Sequence, residues 1–97
     1  MAKKFNKFVI AEDIEKFLRK KHLIKKKWRV VIPEGAYDVE PRGSYEVFWS
    51  GSFEVFKNMR DIAGYGKFQA LVSVGATSKD DYSLVIFYKG KEYWIYE

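Results

Sequence analysis

The sequence predicts an α+β fold: a single small domain in which a five-stranded, mostly antiparallel sheet carries two helices on one face. Three patterns predict it: a helical period of apolar residues near the N-terminus, a second such period in mid-chain, and strict apolar alternation in the last third. The predicted element order is α-β-β-α-β-β-β. A chain of 97 residues, 47% of them hydrophobic, is enough for one domain over 1–97 with one core.

The first helix is predicted over 12–22. Ile10, Ile14, Phe17 and Leu18 recur at the helical period and define one apolar face. Basic residues at 20–22 complement the negative end of the helix dipole. No good N-cap residue marks the start.

Two strands are predicted next, over 28–32 and 44–49, because both are enriched in β-branched and aromatic residues. Pro33 ends the first strand. The segment 33–43 between them is predicted to be a loop, since it contains two prolines and two glycines.

A near-repeat in mid-chain has two interpretations. Residues 44–48 (SYEVF) return as 52–56 (SFEVF), which permits a hairpin with a loop over 50–52. Alternatively, Ser52 caps a helix over 53–63 that ends at Gly64. The helix is favoured because it also gives residues 57–64 a role.

The last third predicts three strands, over 68–74, 82–88 and 92–96, joined by turns at 76–81 and at Lys89-Gly90. Alternation puts Tyr93 and Ile95 on one face of the final strand, and Trp94 and Tyr96 on the other. Helices cover only one face of the sheet. The other face therefore needs a partner, a second copy of the chain, or stacked bases.

Charge is distributed unevenly. The net charge is +5, but residues 1–29 are strongly basic and residues 30–97 are slightly acidic. Such an asymmetry points to a polyanionic partner. The shortage of Asn and Gln beside many Lys and Glu is typical of proteins from hot environments.

Composition also excludes several classes of protein. There is no cysteine and only one histidine, His22, so thiolate chemistry and multi-histidine metal sites are excluded. No apolar run is long enough to cross a bilayer, and residues 1–10 have no cleavage-site pattern of a signal peptide. We expect a cytoplasmic protein with no cofactor and no membrane partner.

These patterns favour a non-enzymatic nucleic-acid-binding protein, with RNA or single-stranded DNA preferred over duplex because no recognition helix is evident. Lysines and arginines supply phosphate contacts, and aromatic rings stack on bases. The predicted phosphate contacts are Lys16, Arg19, Lys20, Lys21, Lys25, Lys26, Lys27 and Arg29. The predicted stacking residues are Trp28, Tyr93, Trp94 and Tyr96.

Two alternatives remain open. A small protein-binding module would dock on a larger partner, including a nucleoprotein, and inhibit or adapt it, as small proteins of viruses and mobile elements do. The aromatic sheet face would also serve a homodimer. A small metal-dependent nuclease would need clustered carboxylates, for which Asp38, Glu40, Asp80 and Asp81 are the candidates.

Overall fold

The computed structural model describes residues 6–73 and 82–96, where one helix packs on a six-stranded antiparallel sheet. The predicted arrangement of two helices on five strands is therefore wrong. The elements are α1 (Lys7–Lys20), β1 (Arg29–Val31), β2 (Tyr37–Arg42), β3 (Glu46–Phe56), β4 (Ile62–Ser73), β5 (Tyr82–Tyr88) and β6 (Lys91–Tyr96).

Strand order in the sheet is β1-β3-β4-β5-β6, and β2 also pairs with β3. The two short strands share one edge of β3. β1 pairs with its last residues, Arg29 opposite Phe56, and β2 pairs with its first half, Tyr37 opposite Gly51. The long β3–β4 hairpin is thus the centre of the sheet.

The near-repeat lies on a single strand. β3 runs without interruption through both copies, so neither the helix over 53–63 nor a hairpin turning at 50–52 forms. Phe53 and Val55 alternate into the core as strand residues, and the Ser52 N–H donates to the Ala36 carbonyl at 3.0 Å instead of opening a helix. Residues 53–56 alternate between buried and partly exposed, as in a strand, and do not form a helix, because β4 provides a long strand for β3 to pair with.

Asn58 makes the turn that the helical interpretation overlooked. Its Oδ1 accepts from the N–H groups of Arg60 (2.9 Å) and Asp61 (3.1 Å), and its Nδ2 donates to Asp61 Oδ2. The Lys57 N–H then donates to the Asp61 carbonyl at 2.8 Å. Asparagine side chains compete in this way with helical hydrogen bonds. The chain accordingly reverses here.

The helix begins earlier than predicted. Asn6 is its N-cap, with Oδ1 accepting from the N–H groups of Phe8 (2.9 Å) and Val9 (3.3 Å). Glu12 and Asp13 therefore lie inside the helix rather than at its start. The cap was missed because the helical pattern was read only from residue 10 onward.

Two further segments differ from expectation. The predicted loop over 33–43 contains β2, where Pro41 is tolerated because the strand is at the edge of the sheet. Gly64 lies within β4 rather than after a helix. The predicted final hairpin is confirmed, with Lys89 (φ 51°) and Gly90 (φ 78°) at its turn. The predicted turn at 76–81 lies outside the described residues.

The core lies between α1 and one face of the sheet. Ile10, Ile14 and Leu18 of the helix are fully buried there. The sheet contributes large apolar side chains from its central strands, and these pack against the helix face. They are Phe53, Val55, Phe68, Leu84, Ile86 and Tyr88.

A buried carboxylate fixes the helix to the sheet edge. Glu15, only 8% exposed, accepts hydrogen bonds from Arg29 Nε and from the Val30 N–H, both at 2.9 Å. Its second oxygen is paired with Arg19 Nη2 at 3.2 Å. At the start of the helix, the buried Lys7 ammonium donates to the Ile32 carbonyl at 3.0 Å. The helix therefore runs antiparallel to β1.

Replacing Glu15 with Gln tests this anchor. We expect the free energy of unfolding to fall by about 2 to 3 kcal/mol, because two guanidinium groups lose their buried anion. Urea denaturation measures the loss. Glu12→Gln is the matched control, since it breaks an exposed i,i+4 pair with Lys16 and should cost no more than about 0.5 kcal/mol. Equal losses in the two variants would contradict the anchoring role.

The two glycines of β4 provide a second test. A methyl group on Gly66 would overlap the buried Phe53 ring and lie 2.8 Å from the Phe87 carbonyl oxygen. One on Gly64 would meet the Tyr88 side chain, at 3.2 Å from the hydroxyl oxygen and 3.5 Å or more from the ring. We expect Gly66→Ala to destabilise the chain by about 1 to 3 kcal/mol and Gly64→Ala by clearly less. Thermal unfolding followed by circular dichroism compares the two, and a reversed order would refute this packing.

Candidate nucleic-acid interface

The two faces of the sheet differ in what they carry. Residues of one alternation set, such as Phe53 and Phe68, point toward α1. Residues of the other set point away from the helix; we call this side the open face. Its pairings place Ser52, Lys67 and Phe87 in one row across β3, β4 and β5.

Positive charge collects at one end of the sheet, which we call the basic end. The C-terminus of α1, the start of β1 and the turns after β3 and β5 all lie there, because Arg29 pairs with Phe56 and Arg19 Nη2 donates to the Trp28 carbonyl. The cations of these segments are Arg19, Lys20, Lys21, Lys25, Lys26, Lys27, Arg29, Lys57, Arg60 and Lys89, and Asp61 is an acid of the turn after β3.

The lysine segment at 20–27 is positioned by the end of the helix. Lys21 is the C-cap and His22 follows with φ 59°. The N–H of His22 donates to the Arg19 carbonyl at 3.1 Å and that of Leu23 to the Leu18 carbonyl at 2.9 Å, a Schellman motif. His22 is thus a helix-terminating residue, and the turn directs Lys25, Lys26 and Lys27 into solvent.

Three of the predicted phosphate contacts are paired with carboxylates of α1. Arg19 and Arg29 are bound to Glu15. Lys16 is paired with Glu12 at 3.0 Å, and the hydrogen bond and charge of that carboxylate raise the pKa of the ammonium group. These cations are partly neutralised before any ligand arrives.

The remaining predicted lysines are exposed and close in sequence. Lys21 lies 5.8 Å from the centre of the Phe17 ring and Lys25 lies 5.7 Å from the Trp28 ring. Lys20, Lys26 and Lys27 are also exposed. The structure therefore brings seven of the eight predicted cations, all but Lys16, to the basic end, and five of these seven are exposed lysines.

The predicted stacking residues are not brought together. A β-bulge between Leu84 and Val85 in the pairing of β5 with β6 shifts the alternation of β6 by one residue. As a result, Tyr93, opposite Ile86, and Tyr96, opposite Leu84, both face the helix. There Tyr93 packs against Phe17 (5.7 Å between ring centroids). The prediction that Tyr96 shares a face with Trp94 is wrong.

Tyr96 and Trp28 are partly buried against the core. Tyr96 lies 5.1 Å from Tyr82, ring centroid to ring centroid, and Trp28 packs against the core. Burial, followed by the hydrogen bond to Asp13, raises the pKa of the Tyr82 hydroxyl far above its ordinary value, and burial with the Asp13 charge raises the pKa of Tyr96. These phenols stay neutral and structural.

Only Trp94 of the stacking set lies on the open face. It is 52% exposed, and its indole Nε1 donates to Glu92 Oε2 at 3.1 Å. Sequence reasoning missed its neighbours Tyr65, which is 65% exposed, and Phe87. Strand alternation does predict these positions. In β4, Tyr65 and Lys67 lie an odd number of residues from buried Phe68 and so point to the other face. In β5, Phe87 directly follows buried Ile86 and also points to the other face.

A groove of about 360 Å³ opens beside these aromatics. Its polar lining comes from the middle of β3 and β4, where Ser50 pairs with Gln69 and Ser52 with Lys67. Phe87 forms part of its wall. Hydroxyl, amide and ammonium groups beside an aromatic ring can hydrogen-bond and stack with a planar polar ligand.

No described helix is long and apolar enough to cross a membrane. Asp38 and Glu40 lie exposed on β2, and the described residues contain no group of three or more His, Asp or Glu able to hold a metal ion. Asp80 and Asp81 lie outside the described residues. No known protein family, curated protein or solved structure matches this chain.

The position of Trp94 predicts its fluorescence. Trp28 and Trp49 pack against the core and are partly buried, whereas Trp94 is exposed. We expect acrylamide to quench wild-type emission strongly and to quench Trp94→Phe much less, while Trp28→Phe keeps the wild-type response. A Trp94→Phe variant quenched as strongly as wild type would contradict this placement.

Proposed function

We propose that this chain binds single-stranded nucleic acid, with the lysine segment at 20–27 as its main phosphate contact. The observation that carries the proposal is that the lysine segment lies at the same end of the sheet as the two turns that contain Lys57 and Lys89. Neutralising phosphates releases counterions, which is the dominant source of affinity for such ligands.

The charges at the opposite end of the molecule also favour a polyanion that approaches the basic end. Acidic residues lie there beside cations that partly neutralise them, at the first half of α1 and around the β2–β3 turn: Glu12, Asp13, Glu40 and Glu46, with Lys7, Lys16 and Arg42. A polyanion is therefore attracted more strongly to the basic end than to the opposite end. The charge separation gives the approach a direction that the net charge of +5 alone would not.

A single strand fits this surface better than a duplex. The exposed aromatic rings of Tyr65, Phe87 and Trp94 lie on a sheet face, and the bases of a duplex cannot stack on them because they are stacked on one another. Exposed bases of a single strand can instead reach aromatic rings. RNA and single-stranded DNA share this chemistry.

A second candidate function is docking on a protein. An apolar groove of about 420 Å³ lies between β1 and the β3–β4 turn, lined by Val31, Phe56 and Met59, and Met59 is 97% exposed. Methionine is common at adaptable protein-binding surfaces. This groove favours a protein partner that inserts an apolar side chain.

Fluorescence anisotropy with labelled single-stranded RNA, single-stranded DNA and duplex DNA, each across a salt series, tests the proposal. We expect single strands to bind more tightly than duplex at physiological salt. In Lys26→Ala/Lys27→Ala, the slope of log K against log salt should become shallower by about 1.4, since each phosphate contact contributes about 0.7 for single strands.

The matched control is Lys16→Ala/Arg42→Ala. It removes the same charge from outside the basic end, where Lys16 pairs with Glu12 and Arg42 lies 4.3 Å from the Phe48 ring centre. Its salt slope should stay close to that of wild type. Equal loss in both variants would mean that only net charge matters. Absence of binding to all three ligands would leave the protein-docking function.

A further inference from the structure

Three exposed aromatics form a diagonal across the open face. Phe87 pairs with Lys67 and with Glu92. Tyr65 lies two residues before Lys67 on β4, and Trp94 two residues after Glu92 on β6. The line Tyr65–Phe87–Trp94 thus begins near the basic end and leads away from it.

The spacing along this diagonal suits an extended strand. Diagonal neighbours on adjacent strands lie about 7–8 Å apart. An extended single strand spaces its bases at up to roughly twice the ~3.4 Å rise per nucleotide of a duplex. Each aromatic ring of the diagonal is therefore within reach of a successive base.

Charge restricts such a strand to one half of the open face. The half formed by β2 and β3 carries the acids Asp38, Glu40, Glu46 and Glu54 and the single cation Arg42. Lys67 lies on the half formed by β4 to β6, between Ser52 and Phe87, and Lys89 follows at the basic end. Glu92, the acid of this second half, is hydrogen-bonded to the Trp94 indole and orients it.

We propose that Tyr65, Phe87 and Trp94 form a base-stacking platform for the strand whose phosphates bind the basic end. In this arrangement Lys67 meets a phosphate between two bases, and Ser52 and Gln69 in the adjoining groove hydrogen-bond base edges. Stacking on aromatic rings tolerates any base, so the platform predicts little sequence preference. This inference rests on the proposed function.

The test compares an oligothymidine with an abasic strand of equal length, because the two carry the same phosphates and differ only in their bases. Wild type should bind the oligothymidine at least tenfold more tightly. Phe87→Ala and Trp94→Ala should each weaken oligothymidine binding about tenfold and leave abasic binding unchanged. Tyr45→Ala is the control, since Tyr45 is 79% exposed but lies in the β2–β3 turn at the far end.

A second readout is the tryptophan emission of the wild-type protein, which does not require an alanine variant to fold. Oligothymidine should quench part of the wild-type tryptophan emission, the abasic strand should not, and Trp94→Phe should lose that quenching. If wild type binds both strands equally, and Lys26→Ala/Lys27→Ala loses both, the platform is refuted while the proposed function stands. If neither strand binds at physiological salt, both are refuted.

Discussion

The Glu15 carboxylate is the interaction on which the rest of the structure depends. It joins the middle of α1 to the first residues of β1 through Arg29 and the Val30 N–H. This contact and the hydrogen bond from Lys7 to the Ile32 carbonyl set the antiparallel course of the helix along β1, which places the helix C-terminus at the same end as the β3–β4 and β5–β6 turns. Together with the hydrogen bond from Arg19 to the Trp28 carbonyl, the Glu15 contact holds the lysines at 20–27 beside Lys57 and Lys89.

A second constraint is the thickness of the sheet–helix interface. Phe53 and Tyr88 stack with ring centroids 5.9 Å apart, in a layer that also contains Gly66. The missing side chain at Gly66 makes room for the Phe53 ring on the helix side. Tyr65, between Gly64 and Gly66, points in the opposite direction and stays exposed. Core packing and the exposed aromatic diagonal thus depend on the same three residues of β4.

Local patterns predicted the parts of this fold that local interactions determine. The final hairpin follows from alternation around Lys89-Gly90, and the apolar face of α1 from the spacing of Ile10, Ile14 and Leu18. The apolar residues of 53–63 fit both the helical period and the alternation of a strand. The strand forms because Asn58 turns the chain and because β3 pairs with β4. The bulge at Leu84/Val85 has no sequence signature, so the faces of Tyr96 and Trp94 could not be assigned from alternation alone.

The basic segment divides according to the chemistry of its side chains. Its two arginines, Arg19 and Arg29, meet one buried carboxylate, a task for which a rigid, weakly hydrated guanidinium is suited. Its exposed lysines are strongly hydrated point charges on flexible stems, which suits contacts that form and break along a phosphate backbone. Sequence counting treats all eight cations alike, although only the lysines at 20–27 keep their charge available at the basic end. The residue type within a basic run therefore helps to separate cations that build the fold from those free to meet a ligand.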